Sequence, residues 1–311
     1  MVKTTINLIF FGTSPFAEVV LDSLLKSNKF KIKAVVTQPD KPTGRKQVLT
    51  PSPVKLLAQK NNLSVLQPTK LDENINQQLK KLNPDIFLVI AYGKFIPDSI
   101  INIAPNKFIN IHPSLLPKYR GPSPIQSAFL NDDHQTGITL MQIDDKMDHG
   151  PIIKQIIYKI SPTDTFITLS KKLARASADL LIKTLPLYIN NKVKPIKQNH
   201  DQATLTKIIT KEDGAIKLNH TASQIYNLWR AYQPWPGIFG NFKCNNKNFK
   251  IKLLDIKPAT LNNKFKPLQL FTQASLLYLT CANNTFLEIL KLQPEGKNEM
   301  DAKNFINGYL K

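Results

Sequence analysis

The sequence predicts an α/β protein in two parts, a parallel sheet with crossover helices followed by a small antiparallel barrel. Three observations predict it. Residues 1–189 alternate short apolar runs with longer amphipathic stretches, residues 190–202 (NNKVKPIKQNHDQ) are polar and aperiodic, and residues 203–311 break into short strand-like runs. Apolar runs separated by helix-length segments are the pattern of βαβ units. Closely spaced short strands with Asn, Lys and Pro between them suit a small closed sheet. A chain of 311 residues is long enough for two domains, each with its own core.

Taken in order, residues 6–11 (INLIFF), 32–36, 86–91 and 108–111 are rich in Ile, Val and Phe and are the expected parallel strands. Residues 15–27, 53–61 and 73–82 lie between them and are expected as helices. Residues 139–143 and 152–160 are expected to pair. The second of these alternates Ile153, Gln155, Ile157 and Lys159, as a half-buried strand does. A long helix over 164–189 follows, with Leu169, Leu173, Ala176, Leu180 and Leu181 as its apolar set. These elements make a first domain over 1–189. Residues 190–202 predict a linker. The second domain, 203–311, has a helix over 221–232 and strands at 238–242, 249–256, 268–270, 276–281 and 285–292.

Composition narrows the class. The chain carries 42 Lys and Arg against 22 Asp and Glu, a net charge of +20, with 42% hydrophobic residues. That apolar fraction argues against disorder, because burial can offset the entropy of ordering. Residues 191–311 hold 18 basic and 8 acidic residues, and most of that excess falls before residue 270. Such an excess suits plain solubility or a footprint for phosphates, and charge alone leaves both open. Two cysteines, Cys244 and Cys281, make neither a disulfide framework nor a CxxC zinc site. No apolar run approaches the roughly 18 residues of a membrane span, and the first is too short for a signal-peptide core. A cytoplasmic protein without a membrane partner is expected.

Three segments carry chemistry. FGTSPFA (11–17) turns the first strand into the first helix with one glycine where GxGxxG has three, which argues against a nicotinamide or flavin cofactor. In FINIHPSLLPKYRG (108–121), Asn110 and His112 are two apart on a strand and share a face. Pro113 stops the strand, so an amide donor and a titratable donor are aimed into the crevice at the carboxyl edge of the sheet. Ser114, Leu115, Leu116 and Pro117 form a stiff apolar loop suited to a flat heteroaromatic ring. In QIDDKMDHG (142–150), Asp144 and Asp145 suit a solvated turn, whereas the His149-Gly150-Pro151 turn after Asp148 could hold that carboxylate in a fixed pose.

NIHPSLLPKYRG, the PIQSAFL that follows and MDHG resemble the formyltransferase family that uses 10-formyltetrahydrofolate. FFGTSPFA, the loop QPDKPTGRKQVLTPSPVK (38–55), ITKEDGAI, RAYQPWPG and LQPEGKNEM extend the resemblance over nearly the whole chain. It implies a Rossmann-like formyltransferase domain followed by an OB-like barrel. It also implies that Asn110, His112 and Asp148 are the catalytic set and that Ser114, Leu115, Leu116 and Pro117 contact the folate. Arg45 and Lys46, in the loop after the second strand, would reach a tRNA acceptor stem. The implied acceptor is the α-amino group of a charged methionyl initiator tRNA, for translation initiation, with no metal and with the protein working as a monomer.

The reaction so implied needs donors aimed at an oxygen that gains negative charge, the role expected of Asn110 Nδ2 and a His112 ring N–H. Asp148 against His112 or the amine would favour the imidazolium and help take up the proton. Three competing readings remain: a formyltransferase acting on glycinamide ribonucleotide or an amino sugar nucleotide, a non-catalytic RNA-binding protein of the same fold, and a nicotinamide oxidoreductase. The basic second domain counts against the first, the presence of Asn110, His112 and Asp148 against the second, and the single glycine against the third.

Overall fold

A computed structural model describes residues 5–44, 46–244, 247–262 and 265–310. It divides into two units. One comprises Met1–Pro124, Gln135–Ile160 and Leu169–Thr206, and the other Ile125–His134, Ser161–Thr168 and Lys207–Lys311. Residues 190–202, expected as a linker, fall within the first unit. Their backbone is held there, since Ile196 and Ile152 exchange N–H to carbonyl bonds of 2.8 Å.

The first unit is built on β1 (Ile6–Gly12), α1 (Pro15–Leu25), β2 (Phe30–Val36), β3 (Lys41–Thr43), β4 (Val48–Thr50), α2 (Pro53–Lys60), β5 (Val65–Leu66), α3 (Glu73–Lys81), β6 (Ile86–Ile90), α4 (Asp98–Ile101) and β7 (Phe108–His112). After α5 (Pro124–Leu130), which beyond Pro124 belongs to the second unit, come β8 (Gln135–Gln142), β9 (Ile152–Lys159) and α6 (Phe166–Ile189), which joins the first unit from Leu169 on. Local chemistry explains the boundaries. Ser14 caps α1 by accepting from the Ala17 N–H, with Pro15 at the first helical position, and Ser52 does the same for α2 through Lys55. Every residue of β6 is buried, as a strand covered on both faces requires.

The sheet runs β5-β2-β1-β6-β7-β8-β9, parallel from β5 to β7 and antiparallel from β7 to β9. The chain leaves β1 for β2 and β5 on one side, then returns to β6 on the other. That reversal opens a crevice at the carboxyl ends of the strands, with β7 next to it. Phe11, Phe87 and Phe108 fill the core beneath, the last two stacked at 4.2 Å between ring centroids. The hairpin β3–β4 lies where a loop was expected. Its residues are all exposed, so no burial pattern marks it in the sequence.

In the second unit, α7 (Ala222–Tyr232) starts with a reciprocal cap between Thr221 and Gln224. A six-stranded antiparallel sheet follows, ordered β10 (Ile238–Cys244), β11 (Lys247–Ala259), β14 (Phe286–Pro294), β13 (Leu276–Thr280) and β12 (Leu270–Gln273), with β15 (Met300–Asp301) on β14 and α8 (Ala302–Phe305) after it. The Lys243 N–H donates to the Leu268 carbonyl, so the chain entering β12 meets β10, as a closing sheet requires. The expected α/β domain followed by a small antiparallel β-domain is therefore observed. Its third strand starts at Leu270 rather than 268, since Leu268 has φ +60°, outside the extended conformation of a regular strand. Among the described residues, no helix is long and apolar enough to cross a membrane.

Candidate active site

β7 ends at His112, with Asn110 half-buried and His112 only 4% exposed. The register with β8 sets Asn110 opposite Met141 and His112 opposite Thr139. The His112 ring is oriented by two neighbours. Its Nε2 lies 2.8 Å from the Tyr119 carbonyl oxygen; a carbonyl only accepts, so this nitrogen carries a hydrogen. Its Nδ1 then faces Asp148, 3.5 Å from Oδ2.

Asp148 joins the pair from the turn between β8 and β9. Its carboxylate accepts from Asn110 Nδ2 (3.3 Å) on Oδ1 and from the Gly121 N–H (2.8 Å) on Oδ2. The backbone there is unusual: Asp148 has φ +50°, a left-handed conformation that Asp tolerates better than most residues. Two glycines make room for the arrangement. Gly121 has φ +108°, and at Gly150 a Cβ would run into the Gln142 carbonyl oxygen. The structure thus brings Asn110, His112 and Asp148 together from positions up to 38 residues apart. Asp144, expected as a solvated turn residue, accepts instead from His149 Nδ1 at 2.6 Å.

The loop after His112 is braced from below. Thr139 Oγ1 donates to the Ser114 carbonyl (2.7 Å) and accepts from the Leu116 N–H (3.2 Å) and Gln155 Nε2 (2.8 Å), while Gln155 Nε2 also donates to the Leu116 carbonyl (2.8 Å). Ser114 is buried and its hydroxyl donates to the Lys118 carbonyl. Leu116 is 4% exposed, whereas Leu115 and Pro117 keep part of their surface open. The packing of Leu115 explains Gly137, where any Cβ would meet the Leu115 side chain.

Lys46 is exposed in the turn between β3 and β4; Arg45 lies outside the described residues. The base of that hairpin is clamped at Asp40, which accepts from Lys55 Nζ and Gln67 Nε2, both at 2.7 Å. Hydrogen bonds from Lys55 and Gln67 hold its carboxyl below the usual aspartate value. Among the described residues no group of three His, Cys, Asp or Glu could hold a metal ion. Sequence reasoning missed the Tyr119 carbonyl, the Gly121 N–H and the residues around Arg120. The first two are backbone groups and leave no trace in residue type.

A family model described as formyl transferase matches residues 5–185, and one described as formyl transferase, C-terminal domain, matches residues 208–310. The chain belongs to the formyltransferase family. A relative in Caldicellulosiruptor saccharolyticus named methionyl-tRNA formyltransferase is 42% identical over 97% of both chains. Another of that name, in Enterococcus faecalis, is 36% identical over 97% of this chain and 96% of its own. Among solved structures, the fold is similar to an N-formyltransferase from Helicobacter canadensis in complex with folinic acid and dTDP-3-aminofucose. That match has a TM-score of 0.66 and 22% identity, and covers 94% of this chain and all of the other. Phosphoribosylglycinamide formyltransferase from Bacillus halodurans aligns with 59% of this chain and 95% of its own, with a TM-score of 0.50 and 23% identity. Both show the family fold.

Proposed function

We propose that this chain transfers a formyl group from 10-formyltetrahydrofolate to the α-amino group of methionyl initiator tRNA, for translation initiation in the cytoplasm. The observation that carries the chemistry is the convergence of Asn110, His112 and Asp148 at the carboxyl end of β7. The acceptor follows from the name shared by relatives aligned over nearly the whole chain, C-terminal domain included. A basic second domain suits a polyanionic acceptor.

The residues present fit a reduced folate. Ser114, Leu115, Leu116 and Pro117 form a loop whose backbone is fixed by Thr139 and Gln155, so Leu115 and Pro117 can present apolar surface to a flat ring beside Asn110 and His112. When bound, the folate supplies a formyl group carried on nitrogen. Everything else is the work of this chain. Asn110 keeps a second amide hydrogen beyond the one aimed at Asp148, and it would donate to the formyl oxygen as that oxygen gains charge. Donors of this kind contribute about 3–4 kcal/mol each to the transition state. Because Nε2 of His112 is committed to the Tyr119 carbonyl, its Nδ1 edge, which faces Asp148, is the one that would take the proton from the amine as the new N–C bond forms and return it to the folate nitrogen as that nitrogen's bond to the formyl carbon breaks. An α-amine with a pKa near 8 is partly neutral at pH 7, so the nucleophile needs orientation more than activation. Lys46, with Arg45 beside it, would meet the acceptor stem. The test is formyl transfer to charged initiator tRNA compared with free methionine; a chain that leaves charged tRNA unformylated overturns the reading.

A further inference from the structure

Asp148 holds a left-handed backbone, yet its carboxylate must point at Asn110 and His112. What keeps the turn in that shape comes from 50 residues downstream. Gln198, 6% exposed, donates from Nε2 to the carbonyl of Asp148 (2.9 Å) and to the carbonyl of Gly150 (2.8 Å). Its Oε1 accepts from both Nε (3.2 Å) and Nη2 (2.7 Å) of Arg120, which is 7% exposed. Two carbonyls at one end and a guanidinium at the other leave one possible orientation of the carboxamide, and all four of its hydrogen-bonding positions are used. Nothing in Gln198 remains for substrate. Arg120 is itself tethered: its Nη2 lies 2.8 Å from His200 Nδ1, and its backbone bonds to Thr204 and Thr206.

Resting on the function proposed above, we propose that Gln198 is a positioning residue of the formyl-transfer centre, fixing the Asp148 turn so that its carboxylate faces His112, with Arg120 fixing Gln198. The polar stretch 190–202 is then a working part of the catalytic centre, and the reach from residue 198 to residue 148 is what makes it so. The bond from Gly121 to Asp148 Oδ2 places the carboxylate from one side, and Gln198 places the backbone from the other. Both are needed, because a side chain is aimed only as well as its Cα is held.

The test uses the full chain with Gln198→Glu, which keeps size and the Arg120 contact but cannot donate to two carbonyls. At saturating substrates kcat should fall about tenfold or more, with KM for folate and tRNA each within about twofold. In an Asp148→Asn background the same change should cost less than about twofold, since there is no carboxylate left to aim. The backbone amide signal of Gly121, which reports its bond to the Asp148 carboxylate, should move in NMR spectra of Gln198→Glu toward its position in Asp148→Asn, a readout that does not depend on the acceptor. If Gln198→Glu fails to fold, Arg120→Met, which releases Gln198, should show the same pattern. Equal losses in both backgrounds, or a Gly121 amide signal identical to wild type, would overturn the positioning role. A wild-type chain inactive on charged tRNA overturns the function instead, and the Gly121 comparison still decides this proposal.

Discussion

Asp148→Asn keeps size and removes charge, so it is the cleanest test of the proposed catalytic set. Turnover should fall by roughly two orders of magnitude or more, with unfolding midpoints close to wild type, as checked by single-turnover kinetics and thermal melts. His112→Ala should lose as much activity and also lose stability. The ring is buried, and its removal strands the Tyr119 carbonyl, which costs about 1–3 kcal/mol for an unpaired buried group. Two other histidines predict how stability responds to pH. His220 is pushed below the ordinary histidine value by burial and by Lys217, and His200 by desolvation where it stacks on His149 and by the charges of His149 and Arg120. The unfolded chain therefore binds their protons more tightly than the fold does. Each contributes stability above about pH 6.5 that is lost as pH falls through its folded value. Melting temperature should drop between pH 7.5 and 5.5, and His220→Gln should shrink the drop.

At the scale of elements, the loop at 114–117 depends on one hydroxyl. Thr139→Val keeps shape but leaves the Ser114 carbonyl and the Leu116 N–H unpaired, at about 1–3 kcal/mol each. Urea denaturation should show that loss, and KM for the folate should rise more than KM for tRNA. Equal changes in the two constants would make the loop merely structural. Strands β1, β6 and β7 and helices α1–α3 were legible because apolar period and N-terminal caps (Ser14, Ser52 and Asp72) are local signals. The β3–β4 hairpin and the two-residue β5 were not. Their pairing is made by neighbours in space, and KPT, VLT and VL carry no period to read.

For the whole molecule, the charge of +20 predicts steep salt dependence of tRNA binding, with a log–log slope of about 0.7–0.9 per phosphate contacted. A flat slope would reduce the charge to a solubility feature. The unit division predicts the result of truncation. Residues 125–134 and 161–168 precede Lys207 in sequence yet belong to the second unit, where the Arg230 guanidinium lies 4.6 Å from the centroid of the Phe129 ring and donates to the Ser161 and Asp164 carbonyls. A chain ending at Thr206 loses those partners and uncovers Phe129, otherwise 1% exposed. It should melt well below the intact protein and bind a hydrophobic dye, as checked by calorimetry and fluorescence.

The sequence by itself determined the α/β order, the strand end that carries Asn110 and His112, and the apolar loop behind them, because spacing along one strand and a proline stop are properties of neighbouring residues. It raised Asp148 on the turn chemistry of Gly150 and Pro151 and set it with Asn110 and His112 through the family resemblance, but the atoms by which the three meet awaited the fold. Tertiary structure alone decided which edge of His112 is committed, through a backbone carbonyl, and that Gln198 and Arg120 reach the turn. Backbone acceptors have no residue type to read, and contacts across 50 to 80 residues arise only when the sheet closes the distance.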